Sequence, residues 1–280
     1  MDRTTAVTTS EGRAGGARLI QLWLVTGILG LVATGCAMVP VPSEEGATVS
    51  ESRARRDLGI DYLRSRRTAM AIRELKASLA LDAGDPATHL WLGEAYRRKG
   101  RTELAESYLR GALEHAPDSG SSQVEQGARL NLSALLSQMG RYEESLEHCG
   151  PLSEDPTLSK PWQALNNCGW ALMQLDRLQE AQEYFDDALE YFPRFGPARL
   201  NLGILQTRQG DRVAAIRTLE RALESTLDGS GRAEARYRLG ELCVALGRRE
   251  DAVEHFRMAA KRAPNLEWGS QSQAYLDLLR

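Results

Sequence analysis

The chain is read as all-α, a stack of six helix pairs closed by a C-terminal helix. Three observations lead there. An internal period near 34 residues runs through most of the chain, small residues recur in fixed columns of that period, and apolar residues within each copy are spaced as on helices. The strings "LGIDY" (58–62) and "LGEAY" (92–96) lie 34 residues apart, followed by "LNLSALL" (130–136), "NNCGWAL" (166–172), "LNLGILQ" (200–206) and "YRLGELC" (237–243). Their shared small column is Gly59, Gly93, Ser133, Gly169, Gly203 and Gly240, separated by 34, 40, 36, 34 and 37 residues.

The other columns keep step. Twelve residues on stand Ala71, Ala105, Ser145, Ala181, Ala215 and Ala252; four further, Leu75, Leu109, Cys149, Phe185, Leu219 and Phe256; three further, Ser78, Ala112, Leu152, Ala188, Ala222 and Ala259. Apolar positions at i, i+3, i+4 and i+7 in two successive segments make two amphipathic helices per copy. Gly100, Gly140, Gly210 and Gly247 are expected to end the first helices, and Pro117, Pro193 and Pro264 to close second helices.

The six units are placed at about 52–85, 86–119, 126–159, 162–195, 196–229 and 233–266, within 52–264 overall. A capping helix is expected over 265–280, burying Trp268, Tyr275, Leu276 and Leu279.

Ahead of the repeats, residues 19–35 form an uncharged apolar run, "LIQLWLVTGILGLVATG", after a weakly positive lead-in. This pattern reads as a secretory signal over 1–35, with an uncleaved membrane-spanning helix as the alternative. The run ends in "ATGC" (33–36), which resembles the lipobox of bacterial lipoproteins, with Ala33 where Leu is commonest. That resemblance implies cleavage before Cys36 and lipidation of Cys36; Ala37, rather than Asp, implies the outer membrane. Residues 36–51, with Pro40, Pro42 and Gly46, are expected to form a flexible tether.

Composition narrows the function. With 26% charged residues and a net charge of −3, nothing points to nucleic acid. The four histidines (His89, His115, His148 and His255) have no metal-ligand spacing, and there is no phosphate loop or nucleophile elbow, so no enzyme, metal or cofactor is expected. His148 and His255 share a column and are expected at the surface. Beyond Cys36 stand Cys149, Cys168 and Cys243. In an exported domain, Cys149 and Cys168 on facing helices of units three and four either form a disulfide or sit as two small buried residues.

The repeats resemble the tetratricopeptide repeat, which implies a right-handed superhelix of helix pairs with a concave face lined by the first helix of each unit. The columns that reach this face give Ile60, Leu63, Leu90, Leu130, Trp170, Met173, Leu200, Ile204, Tyr237 and Val244 as a partner-binding groove. Asn131, Asn167 and Asn201 share a column, and their amides could bind an extended peptide backbone. Equally, they could reflect a habit of the repeat.

A lipoprotein made almost wholly of six such repeats looks like the pilotins of type IV pilus secretins, the PilF/PilW/Tgl family. "ALNNCGWALMQLDRLQEAQEYFDDAL" (164–189) is similar to the family's central Asn-Asn-aromatic-Gly run, with Cys168 in the aromatic's place, and "RRDLGIDYL" (55–63) to its opening repeat. The resemblance implies a protein partner, the outer-membrane secretin subunit, with the membrane contacted through lipid. The alternative is a lipoprotein scaffold for polysaccharide export or cell-wall enzyme assembly.

Overall fold

A computed structural model describes residues 44–119 and 122–278. The signal segment, Cys36, the start of the tether and Leu279 lie outside the described residues. Among the described residues the chain is helical throughout, with thirteen helices and no strand. They pair as α1 (Glu44–Arg64) with α2 (Thr68–Leu81), α3 (Pro86–Arg98) with α4 (Thr102–Ser119), and α5 (Ser122–Gln138) with α6 (Tyr142–Ser153). The series continues as α7 (Pro161–Gln174) with α8 (Leu178–Tyr191), α9 (Gly196–Arg208) with α10 (Arg212–Leu223), and α11 (Gly229–Ala245) with α12 (Arg249–Arg262). Helix α13 (Glu267–Leu278) closes the stack.

The repeat columns explain the packing within each pair. Every residue of the three columns following the small one is buried, from Ala71, Leu75 and Ser78 through Ala252, Phe256 and Ala259. The small column must be small because the facing side chain rests on it. A Cβ on Gly93 would lie 2.6 Å from Leu109 Cγ, and one on Gly203 would lie 2.7 Å from Leu219 Cγ. Unit three departs at both positions together: Ser133 replaces glycine where the facing column holds Cys149, smaller than the Leu or Phe of the other five units.

The turns inside the pairs need a left-handed residue. Gly100, Gly140, Gly210 and Gly247 supply it, with φ of 69°, 76°, 85° and 72°. In units one and four the same position is filled by Arg66 (φ 58°) and Asp176 (φ 61°), conformations that a side chain disfavours.

The longer repeat steps become longer helices. The 40-residue step extends α4 to 18 residues and α5 to 17, and the 37-residue step extends α11 to 17, against 13 for α3 and α9. Units three and six therefore begin at Ser122 and Gly229, ahead of the expected 126 and 233. Helix α4 also runs past Pro117, expected to close it, to Ser119. Pro117 stands in the last turn, where one lost backbone bond is tolerated.

A further correction concerns the tether. Helix α1 begins at Glu44, inside the segment 36–51 read as flexible. The reason is tertiary: Ser52 is buried, and Ser78 Oγ donates to the Ser52 carbonyl at 2.8 Å while Ser52 Oγ donates to the Ser78 carbonyl at 3.1 Å, joining α1 to α2. At the other end Trp268, Tyr275 and Leu276 of α13 are half-buried against Tyr237 and Phe256, with Tyr275 stacked on Phe256 at 4.6 Å. The fully buried residues of α13 are Gly269 and Ser272.

Candidate partner-binding face

The first helices form the inner face. Each of α1, α3, α5, α7 and α9 packs its backbone near the first helix of the next unit, and α11 near α13, whereas the backbones of the second helices stay apart, α4 reaching α6 through the side chains of Arg110 and Glu144 at 3.2 Å. Stacked elements that meet on one side and spread on the other curve toward the side where they meet, so the odd-numbered helices line the concavity.

The structure divides the residues expected along this face. Ile60, Leu90, Leu130 and Trp170 are half-buried and present part of their surface, and Val244 is exposed. Leu63, Met173, Leu200, Ile204 and Tyr237 are instead buried between units, which corrects their placing as an open apolar strip. Successive first helices pack closely enough that side chains on their flanks meet the neighbouring unit rather than solvent. Tyr237 shows the consequence: it lies 5.2 Å from the Trp268 ring, and burial with the nearby Glu241 carboxylate raises its hydroxyl pKa.

Two of the three column asparagines are engaged within the protein, and Asn131 is half-buried. Asn167 Nδ2 donates to Ser133 Oγ at 2.9 Å and to the Leu130 carbonyl at 3.3 Å, and Asn201 Nδ2 donates to Asn166 Oδ1 at 2.9 Å. These bonds sew unit four to three and five to four. The amide donors of Asn167 and Asn201, expected to hold a peptide backbone, thus join neighbouring units instead.

Cys149 of α6 and Cys168 of α7 are joined by a disulfide, with Cα atoms 5.6 Å apart, next to the Asn167 bonds. Cys243 is a buried free thiol whose pKa is raised by burial, an environment that keeps a thiol unreactive. His148 and His255, expected at the surface, are half-buried; burial lowers both pKa values, reinforced by Arg129 and Arg110 for His148 and by Arg236 for His255.

Two hollows open along the first helices. One, of about 370 Å³, lies between the starts of α5 and α7, with Gly127, Leu130 and Gln163 on its walls and the loop from Thr157 to Lys160 above. The second, of about 400 Å³, lies between α9 and α11, where Ile204 and Leu242 meet Arg208, Arg212 and Arg238. Arg238 is held by Glu241 at 3.3 Å and lies 4.7 Å over the Trp268 ring. Apolar walls with scattered charged rims suit a polypeptide. Among the described residues no cluster of three or more metal-ligating side chains occurs, and no helix is long and apolar enough to cross a membrane.

Sequence reasoning missed the arginines that bind across units. Arg98 Nη1 donates to the Leu63 carbonyl at 2.8 Å, and Arg208 Nη1 to the Met173 carbonyl at 2.9 Å. The signal was present as Arg64, Arg98 and Arg208 in one column. Also missed was Asp85, which caps α3 by accepting from the backbone N–H groups of Ala87 and Thr88 and binds Arg56 of α1 at 3.0 Å. Burial would raise its pKa, but the bonds from Thr88 and Arg56 outweigh that and hold it low.

Comparison with known proteins agrees with this architecture. One family model, described as tetratricopeptide repeat, matches residues 172–230, and a second of the same description matches 56–120 and 207–267, together more than half of the chain. The type IV pilus assembly protein PilF of Pseudomonas aeruginosa is 26% identical over 166 residues, 59% of this chain. The chain thus spans 63% of the length of that relative. Among solved structures, PilW, described as a widely conserved type IV pilus biogenesis factor, superposes with a TM-score of 0.66 at 21% identity, covering 79% of this chain and 97% of PilW. The Pseudomonas aeruginosa pilF structure gives 0.63 at 20% identity, covering 82% and 99%. The chain belongs to the tetratricopeptide-repeat proteins and is related, at low identity, to the PilF and PilW proteins of type IV pilus biogenesis.

Proposed function

We propose that this protein acts in type IV pilus biogenesis as a lipid-anchored scaffold that binds secretin subunits and promotes their localisation and oligomerisation in the outer membrane. The observation that carries the reading is the relationship to PilF over 166 residues, combined with an inner face on which Ile60, Leu90, Leu130 and Trp170 remain part-exposed. An apolar face of this kind holds a partner segment by burial, at about 25 cal/mol per Å² of apolar surface, and needs no chemistry of its own. The lipid at Cys36 supplies the address and the repeats supply the choice of cargo. More than one acyl chain is required for lasting anchorage, which a triacylated cysteine satisfies.

The test deletes the gene and follows secretin multimers that resist detergent in the outer membrane. Loss of the multimers, restored by the wild-type gene but not by Ile60→Ser/Leu130→Ser at equal protein level, is the expected result. Normal multimers in the deletion strain would sink the secretin role. Independently, Cys36→Ala is expected to leave the membrane fraction, and its retention there would refute the lipid anchor.

A further inference from the structure

The turns between first and second helices align along one edge of the stack, and charge is distributed unevenly on that edge. In units one and two these turns read "RSRR" (64–67) and "RKGR" (98–101), six basic residues in eight with no acid. In units three to six the matching turns read "QMGR", "QLDR", "RQGD" and "ALGR", four basic residues in sixteen with two acids. The whole chain carries a net charge of −3, so this end opposes the overall balance.

Intramolecular pairing leaves much of that charge unspent. Arg64 meets Asp61 at 3.0 Å, and Arg98 is bound by Glu94 at 2.6 Å and by the Leu63 carbonyl. Arg66, Arg67, Lys99 and Arg101 are exposed and have no carboxylate at ion-pair distance among the described residues. Between the two turns lies a hollow of about 470 Å³ lined by Leu63, Arg64, Arg66, Thr68 and Arg98. Arg66 holds its side chain at this hollow from a left-handed position where four of the other five units have glycine.

We propose that the basic edge of units one and two is a second interaction surface, separate from the inner face, that docks an acidic polypeptide segment. Asp or Glu side chains of an extended or helical segment would enter the hollow against Arg64, Arg66 and Arg98, while Arg67, Lys99 and Arg101 flank it. Guanidinium groups bind carboxylates in forked pairs, and an uncompensated cluster of them also speeds encounter with an acidic partner. A bilayer is the less suited partner, because the surface is concave and neither turn carries an apolar side chain to insert.

The experiment measures fluorescence anisotropy of a labelled deca-glutamate peptide with the full-length protein, between 20 and about 150 mM salt. Arg66→Gly/Arg67→Ser/Lys99→Ser/Arg101→Ser is expected to bind at least tenfold more weakly with unchanged circular dichroism. Arg217→Ser/Arg221→Ser on α10 together with Arg257→Ser/Lys261→Ser on α12, all four exposed, serves as the charge-matched control and is expected to bind as wild type. An equal loss in that control, or wild-type binding by the quadruple variant, would overturn the proposal. So would an unchanged peptide affinity accompanied by loss of flotation with phosphatidylglycerol vesicles, which would assign the edge to lipid. None of these outcomes depends on secretin assembly.

Discussion

Arg208 of α9 reaches back one repeat and donates to the carbonyl of Met173 at 2.9 Å, at the end of α7. That carbonyl is one of the last four of its helix, which have no partner within the helix. Arg98 does the same for Leu63. A guanidinium one repeat away thus caps a helix and sets the distance between units at once.

Arg208→Ala is expected to lower stability by about 1.5 kcal/mol, the low end for a charged hydrogen bond because the side chain is exposed. Arg208→Lys should recover only part of it, since one ammonium cannot reproduce the fork that also meets Gln174. Denaturant melts of the three proteins decide this; an alanine variant as stable as wild type would remove the cap from the account.

Gly203 and Leu219 should behave as a coupled pair. Gly203→Ser drives a side chain into Leu219 and is expected to destabilise by about 1–3 kcal/mol. Combined with Leu219→Cys, which reproduces the Ser133 and Cys149 pairing of unit three, the loss should be at least about 1 kcal/mol smaller than the sum of the single losses. Strict additivity in the double-mutant cycle would mean that the two columns are independent.

Asp176 sits in the left-handed region with φ 61°. Asp176→Gly is expected to stabilise by about 1 kcal/mol by relieving that conformation. Gly210→Ala, with no neighbour within 4 Å of an added Cβ, should lose a similar amount for purely backbone reasons. Thermal melts moving in the same direction for both would contradict the turn geometry.

The Cys149–Cys168 disulfide spans 19 residues of sequence. Closing a loop of that size restricts the unfolded chain by about 3 kcal/mol in the chain-entropy treatment. Cys149→Ser/Cys168→Ser should therefore unfold at a lower denaturant midpoint, and wild type should approach it under reducing conditions. A melt insensitive to reductant would show that the bridge contributes nothing.

His148 and His255 give a pH dependence of definite sign. Burial first, and neighbouring arginines second, lower both folded-state pKa values below the ordinary 6.5. Between the unfolded and the lowered folded value the unfolded state binds more protons, so stability is full above about 6.5 and declines as pH falls below it. Unfolding free energies from pH 7.5 to 5.5 should fall, and His148→Gln/His255→Gln should flatten the slope over that window. An unchanged slope would exclude these two groups as its source.

The period, the helix pairs, the left-handed glycines and the small columns were all legible in the sequence, because each depends on contacts within one unit at fixed spacing. Gly93 must be small because Leu109 comes sixteen residues later, and that relation holds wherever the unit is placed. The inner face was legible only in part. Spacing placed Leu63, Met173, Leu200, Ile204 and Tyr237 on the first helices, but their burial follows from how closely one unit packs on the next, which no single repeat encodes. The same holds for Asn167 and Asn201 and for the Cys149–Cys168 bridge. The sequence by itself determined what each repeat is; the tertiary structure decided which side chains are spent joining repeats and which, like Trp170 and Arg66, keep surface open to solvent. Helix periodicity is a local property, whereas exposure on a curved stack depends on neighbours some 35 residues away along the chain.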